Sequence, residues 1–151
     1  MNAISASSRA LPINASLDAT ASLLGRLGLS LIFIISGWGK IAGYAGTQQY
    51  MEAMGVPGAL LPLVIALELG GGLAIAAGLF TRWIAVVFTL FAVASGFMFH
   101  GSPEEQTALL KNIAIAGGFL MLAAHGAGGF SVDALLARRR EGKAGRTPEP
   151  A

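Results

Sequence analysis

Residues 61–80 read LPLVIALELGGGLAIAAGLF, and this run decides the fold because it carries a single charge, Glu68. A helix of about 20 apolar residues is long enough to cross a hydrocarbon core of about 30 Å. Glycines cost helix propensity in water, but in a bilayer the three consecutive glycines at 70–72 let a neighbouring helix approach closely. The run therefore predicts a transmembrane helix over 59–80 that packs against another helix.

The rest of the chain has the composition of a membrane protein. It contains 54% hydrophobic and 12% charged residues, whereas soluble domains have roughly 25% charged residues. The apolar residues form long runs, not the narrow stripes of a soluble bundle. The sequence predicts an all-α, integral membrane four-helix bundle, whose other helices cover 23–41, 83–99 and 107–124.

The flanking segments predict how the chain is divided and oriented. We expect a disordered N-terminal arm at 1–21, a transmembrane domain at 22–126, and an interfacial segment with a basic disordered tail at 127–151. Residues 42–57 are predicted to be a loop at the headgroup layer. Four crossings place both termini on one side, and basic residues next to the membrane favour the cytoplasm. The N- and C-termini are therefore predicted to be cytoplasmic.

Composition also limits the chemistry. The chain has no cysteine, which excludes disulfides and thiolate-ligated clusters on its own side chains. His100 and His125 are predicted at opposite membrane surfaces, so they cannot share a metal, and we predict no metal site within one chain. The net charge of +2 does not favour nucleic-acid binding. No covalently bound cofactor is implied, and redox chemistry would need a bound one such as a quinone.

Glu68 is the strongest indication of a functional site. It lies about ten residues into its predicted helix, which is roughly 15 Å below the outer boundary. A charge at that depth is either neutralised or paired. Lys40, Lys111 and Asn112 lie near the outer ends of neighbouring helices and could reach it, and Trp38 would add an indole donor if it points inward.

This cluster has two interpretations. The structural one is an ion-pair network, or lysines that extend to the membrane surface. The functional one is a ligand site, in which the donors hydrogen-bond a quinone carbonyl beside a proton-carrying carboxylate, or hold a small oxyanion.

Two arginines lie near the inner membrane surface. For Arg26 and its neighbour Arg82, the favoured interpretation is a structural or lipid-facing charge that extends to inner-leaflet phosphates. The alternative for Arg26 is an inward contact with backbone carbonyls or with the inner end of the helix at 59–80.

Short motifs spread over roughly 24–136 resemble the DoxX family of small membrane proteins. In order along the chain they are Gly25-Arg26-Leu27-Gly28, Ser36-Gly37-Trp38-Gly39-Lys40, Gly55-Val56-Pro57, Glu68, Gly70-Gly71-Gly72, Gly78-Leu79, Thr81-Arg82, Lys111-Asn112 and Gly129-Phe130-Ser131-Val132-Asp133. The resemblance implies a four-helix, multi-pass protein of the bacterial inner membrane. The family is similar to a subunit of a thiosulfate:quinone oxidoreductase, and some members look like partners in membrane oxidoreductase complexes.

Three functions remain open. The leading hypothesis is a quinone-associated oxidoreductase subunit, in which Glu68 is catalytic, Lys40, Lys111, Asn112 and Trp38 bind the quinone or substrate, and a partner subunit supplies the remaining redox centre. The second is a non-catalytic membrane scaffold or assembly partner, whose intramembrane charges are structural. The third is a small-solute transporter, for which four short helices leave little room unless the chain forms a homo-oligomer.

Overall fold

The computed structural model describes the backbone of residues 12–144 and the side chains of residues 15–141. Every regular element in that part of the chain is helical. Four of the helices are long and apolar enough to cross a membrane, which confirms the predicted fold class. The helices are α1 (Pro12–Ala42), α2 (Tyr44–Ala53), α3 (Gly58–Ala77), α4 (Thr81–Phe99), α5 (Gln106–His125) and α6 (Val132–Ala144).

The helices extend beyond the predicted boundaries in three places. Residues 12–21, which were predicted to be part of the arm, form the first turns of α1. The predicted loop at 42–57 contains α2, which forms because Met51 is buried against the bundle. The C-terminal segment forms α6, whose first turn is capped where the hydroxyl of Ser131 accepts the N–H of Ala134. Residues 1–11 and 145–151, which belong to the predicted arm and tail, lie outside the described residues.

Three phenylalanines form the centre of the bundle. The ring of Phe88 from α4 lies 4.3 Å from that of Phe33 in α1 and 4.9 Å from that of Phe119 in α5, measured between centroids. All three are buried, together with Ile75 of α3. Because lipid tails are as apolar as these side chains, close packing, and not the exclusion of water, holds such contacts together.

Two glycines of α3 allow the close packing that the sequence predicts. A Cβ atom at Gly71 would lie 3.0 Å from the ring of Phe88, and one at Gly72 would lie 2.9 Å from Ile34 of α1. Larger side chains at these positions would force the helices apart. The glycine run therefore lets α3 contact α1 and α4 at the same level of the bundle.

Arg26 lies inside the bundle near the end that is predicted to be cytoplasmic. Its side chain is only 1% exposed. Its guanidinium donates to the carbonyl oxygens of Ile75 at 3.0 Å, Ala76 at 2.9 Å and Phe130 at 2.5 Å. Carbonyls at a helix C-terminus lack intrahelical partners and carry a partial negative charge. Arg26 thus has the second of its two predicted arrangements and holds the end of α3.

Asp133 holds the start of the next transmembrane helix in the same region. Its two carboxylate oxygens accept the backbone N–H groups of Phe80 at 2.9 Å and Thr81 at 3.0 Å. Its own N–H donates to the carbonyl of Gly78 at 2.9 Å. Gly78 has a φ of 73°, which suits glycine and turns the chain from α3 into α4. The first turn of α6 is therefore attached to the end of the bundle that is predicted to be cytoplasmic.

The orientation of the bundle remains a prediction, and reporter fusions test it. A fluorescent protein fused after Ala151 should fluoresce in the cytoplasm, and alkaline phosphatase fused at the same point should be inactive, because the basic flanks favour the inside. The control is a phosphatase fusion in the connection between α4 and α5, which should be active. Active phosphatase at the C-terminus would contradict the predicted orientation.

Candidate functional site

The middle of α3 departs from regular α-helix at the residue that the sequence singles out. Residues Leu67–Gly71 form a π-helical turn between the α-helical segments Leu61–Ala66 and Gly72–Ala77. Glu68 lies in this turn and is buried. Single π-turns inside α-helices are rare and often occur at functional sites. The turn gives Glu68 a direction that a regular helix would not give it.

Glu68 is paired with Lys40 at the end of α1. The ammonium of Lys40 lies 2.7 Å from Oε2 and 2.9 Å from Oε1 of the carboxylate. The side chains are 23% and 5% exposed, respectively. The predicted pairing of the buried carboxylate with a lysine is thus present in the structure. This pairing lowers the cost of placing a charge at membrane depth, which is about 3 kcal/mol on insertion scales.

Ser36 completes this contact. Its hydroxyl oxygen accepts a hydrogen bond of 2.6 Å from Lys40, and its hydroxyl lies 3.4 Å from Oε1 of Glu68. An ammonium group has three N–H donors, and those of Lys40 face two carboxylate oxygens and one hydroxyl. Lys40 therefore has no donor left for a ligand in this arrangement, and its role is to hold Glu68 in place.

Gly37 allows α1 to reach the π-turn. A Cβ atom at this position would lie 2.8 Å from Cγ of Leu69 and 3.1 Å from Cβ of Glu68. Those atoms belong to the first two carbons of neighbouring side chains, which cannot move without moving α3. The absence of a side chain at Gly37 therefore sets the separation of α1 and α3 at the ion pair.

A cavity of about 520 Å³ opens beside the ion pair, within the usual range for small-molecule sites of about 300–1,000 Å³. Ser36, Lys40 and Glu68 line one side, and Lys111 and Asn112 of α5 also line it. The structure thus brings four of the five residues predicted for the site to one cavity. The apolar wall comprises Ile32, Phe33, Val64, Phe91, Met98 and Ile115, among others.

Lys111 and Asn112 of α5 differ from Lys40 because they have hydrogen-bond donors that a ligand could use. Among the described side chains, Lys111 forms no ion pair, and Asn112 forms one hydrogen bond, in which its amide donates to the carbonyl of Ala108 at 3.3 Å. Lys111 is exposed and Asn112 is half-buried. The cavity therefore combines an ion-paired carboxylate with a lysine and an amide that can still donate hydrogen bonds.

Helix α2 also contributes to the wall of the cavity. Thr47, Tyr50 and Met51 of this helix line the cavity, and the ring of Tyr50 stacks on Phe99 of α4 at a centroid distance of 5.6 Å. Sequence reasoning missed these residues because the segment was read as a loop. The signal was the spacing of Thr47 and Met51, which places both on one helical face.

His100 also lines the cavity, at the end of α4. Its Nδ1 lies 3.2 Å from Oε2 of Glu105, and both side chains are partly exposed. Glu105 does not line the cavity, so the pair extends from the cavity to an exposed side chain. Sequence reasoning considered His100 only as a metal ligand, and within the described residues no group of three or more His, Asp or Glu side chains could hold a metal ion.

The remaining predicted residues lie away from the cavity. Trp38 is 69% exposed on the outer surface of α1 and does not line the cavity, so it does not supply the inward indole donor that the sequence analysis considered. Arg26 is bound to carbonyls at the other end of the bundle, and Arg82 is exposed there. These arginines do not belong to the cavity that contains Glu68.

Comparisons with known proteins agree on the family of this chain. The DoxX family profile matches residues 21–101. The Escherichia coli (strain K12) inner membrane protein YqjF is 50% identical over 126 residues, which cover 82% of this chain and 97% of that protein. The inner membrane protein YphA of the same organism is 36% identical over 121 residues, covering 74% of this chain and 86% of that protein.

A third relative carries a functional name. The Bacillus subtilis (strain 168) protein "Putative oxidoreductase CatD" is 34% identical over 74 residues, which cover 49% of this chain and 55% of that protein. No solved structure matches the chain.

Two glycines of α1 provide a matched test of the close approach at the ion pair. We expect Gly37→Ala to lower the free energy of unfolding by about 1–3 kcal/mol through overpacking. Gly39→Ala should leave it unchanged or slightly higher, since a Cβ there meets nothing within 4 Å among the described residues and alanine favours helix. Unfolding in mixed micelles on titration with dodecyl sulfate measures both. Equal stabilities of the two variants would contradict the close contact at Gly37.

Proposed function

This chain belongs to the DoxX family and lies in the bacterial inner membrane, and from that premise we propose that it is the quinone-associated subunit of a membrane oxidoreductase. The observation that carries the proposal is the cavity, whose lining combines an ion-paired carboxylate, a lysine, an amide and an apolar wall. The name of the Bacillus subtilis relative, "Putative oxidoreductase CatD", which is similar over about half of this chain, supports it.

The lining of the cavity has the chemistry that a quinone needs. A quinone has two carbonyl oxygens that accept hydrogen bonds and a ring that prefers apolar surroundings. Lys111 and Asn112 would hold a carbonyl oxygen as donors, and Phe91 and Ile115 would contact the ring. A few placed polar groups in a largely apolar pocket are typical of cofactor sites. A small oxyanion would satisfy the donors but would leave the apolar wall without a function.

Glu68 would serve as the proton carrier of the site. A quinone held in the cavity would supply the electron chemistry, exchanging two electrons with the partner subunit and two protons, one at a time, through Glu68. The Glu68 carboxylate accepts a proton or returns it, while Lys40 and Ser36 keep its oxygens at fixed positions through contacts of 2.6–3.4 Å. His100 and Glu105 provide polar groups between the cavity and the surface, through which a proton can reach water.

A partner subunit completes the proposed enzyme. The chain has no cysteine, so its own side chains cannot ligate an iron–sulfur cluster or form a redox-active disulfide. The proposal therefore assigns quinone binding and proton handling to this chain, and electron transfer to or from the substrate to a separate protein.

The alternative, a non-catalytic scaffold, is supported by a specific observation. All three donors of Lys40 are satisfied within the protein, and such a self-contained pair can serve to fix the packing of two helices. The Glu68–Lys40 pair would have the same geometry whether it only holds two helices together or also handles protons. Only a ligand distinguishes the two functions, so the test must measure the ligand in variants that remain folded.

Quinone content in matched variants provides this test. We expect protein extracted mildly from native membranes to contain about one quinone per chain. The double variant Lys111→Met/Asn112→Leu should lose the quinone, because these two side chains are the proposed donors to its carbonyl oxygen. It should remain folded, because among the described residues Lys111 forms no ion pair and Asn112 donates only to a backbone carbonyl. Quinone is extracted and quantified by chromatography relative to folded protein.

Glu104→Gln is the control for this experiment, because Glu104 is an exposed acid that does not line the cavity. It should retain wild-type quinone content. Quinone present at wild-type levels in the folded double variant, or absent from the wild type, would contradict the proposal and favour the scaffold.

A further inference from the structure

A second pocket lies at the opposite end of the bundle from the cavity. It has a volume of about 460 Å³ and is formed by the start of α4, the end of α5 and one face of α6. Thr81, at the start of α4, lies 18 residues from Phe99, which lines the first cavity. At 1.5 Å per residue this corresponds to about 27 Å, so the two sites lie near opposite membrane surfaces.

Two arginines from different helices converge on this inner pocket. Arg82 of α4 and Arg140 of α6 both line it, and within residues 15–141 neither forms an ion pair. The guanidinium of Arg82 is packed against Gly126, where a Cβ atom would lie 3.2 Å from its Nε. The single acidic group of the pocket, Asp133, already accepts two backbone N–H groups. The pocket therefore has an excess of positive charge.

A buried hydroxyl adds a second polar feature to the pocket. Thr81 is fully buried and lines the pocket, and its hydroxyl has no hydrogen-bond partner among the described residues. Buried hydroxyls are usually satisfied. A ligand with several acceptor oxygens would provide acceptors both for the arginines and for an unsatisfied donor of this kind.

The rim of the inner pocket is apolar and exposed. Trp83, Phe80 and Leu136 line the pocket, and their side chains are 78%, 63% and 39% exposed. Exposed tryptophan next to arginine is typical of the level of the lipid headgroups. A soluble anion would contact only the charged part of this pocket, whereas a phospholipid would also cover the apolar rim with its acyl chains.

We propose that the inner pocket binds the phosphate of an anionic phospholipid through Arg82 and Arg140. Basic pockets between transmembrane helices on the cytoplasmic side are suited to anionic headgroups. The lipid joins α6, which carries Arg140, to the bundle through Arg82. This site is independent of the quinone proposal, because it shares no lining residue with the first cavity.

Titration of the full-length protein with short-chain lipids tests the site. Protein in neutral detergent is titrated with dioctanoyl phosphatidylglycerol, with dioctanoyl phosphatidylcholine and with inorganic phosphate, and the thermal unfolding midpoint is followed. We expect phosphatidylglycerol to raise the midpoint at much lower concentration than phosphatidylcholine. Replacing each arginine by glutamine should raise the apparent Kd about fivefold, and Arg82→Gln/Arg140→Gln about 25-fold, as expected for basic residues near an anionic membrane surface.

Arg139→Gln is the matched control, because it removes the same charge from the same helix at an exposed position outside the pocket. It should change the apparent Kd by less than about twofold. Equal effects of Arg139→Gln and Arg140→Gln, or equal stabilisation by the two lipids, would overturn the proposal. Stabilisation by inorganic phosphate as strong as that by phosphatidylglycerol would also overturn the proposal, because it would identify the ligand as a soluble anion and not a lipid.

Discussion

The ion pair between Glu68 and Lys40 is the interaction on which the half of this protein around the cavity depends. A carboxylate in the middle of a membrane helix needs a partner. Because the partner of Glu68 is Lys40 of α1, the pair fixes how α1 lies against α3. The π-turn directs Glu68 toward α1, Gly37 removes the side chain that would keep the helices apart, and Ser36 fills the remaining donor position of the ammonium. This arrangement also supplies part of the polar lining of the cavity, because Ser36, Lys40 and Glu68 all line it.

The opposite half of the bundle is organised by the same need to satisfy polar groups away from water. Helix ends leave carbonyls and N–H groups without partners, and hydrocarbon offers none. Arg26 satisfies carbonyls at the end of α3, and Asp133 satisfies N–H groups at the start of α4. Charged residues thus have different roles at the two ends of the bundle. Arg26 and Asp133 bind the backbone of helix termini at one end, and Glu68 and Lys40 bind each other beside a cavity at the other.

Hydropathy predicts the four spans because the thickness of the bilayer fixes their length. The position of each residue along its span then places Glu68, Lys40, Lys111 and Asn112 at a similar depth in the membrane. Side-chain direction is harder to predict. Trp38 and Lys40 are two residues apart, which is about 200° around a helix, so Lys40 faces inward while Trp38 faces outward. Helix α2 is too short to give a hydropathy signal. The π-turn depends on contacts between helices, which the local sequence does not contain.

The measurement that tests the account most directly is photolabelling with an azido-quinone in native membranes, followed by mapping of the labelled peptides. We expect label on residues that line the cavity, such as Phe91, Met98 and Ile115, and loss of this label when excess unmodified quinone competes. Label confined to lipid-facing residues such as Trp38, or label that excess quinone does not reduce, would contradict the account. In that case, the Glu68–Lys40 pair would have only a structural role.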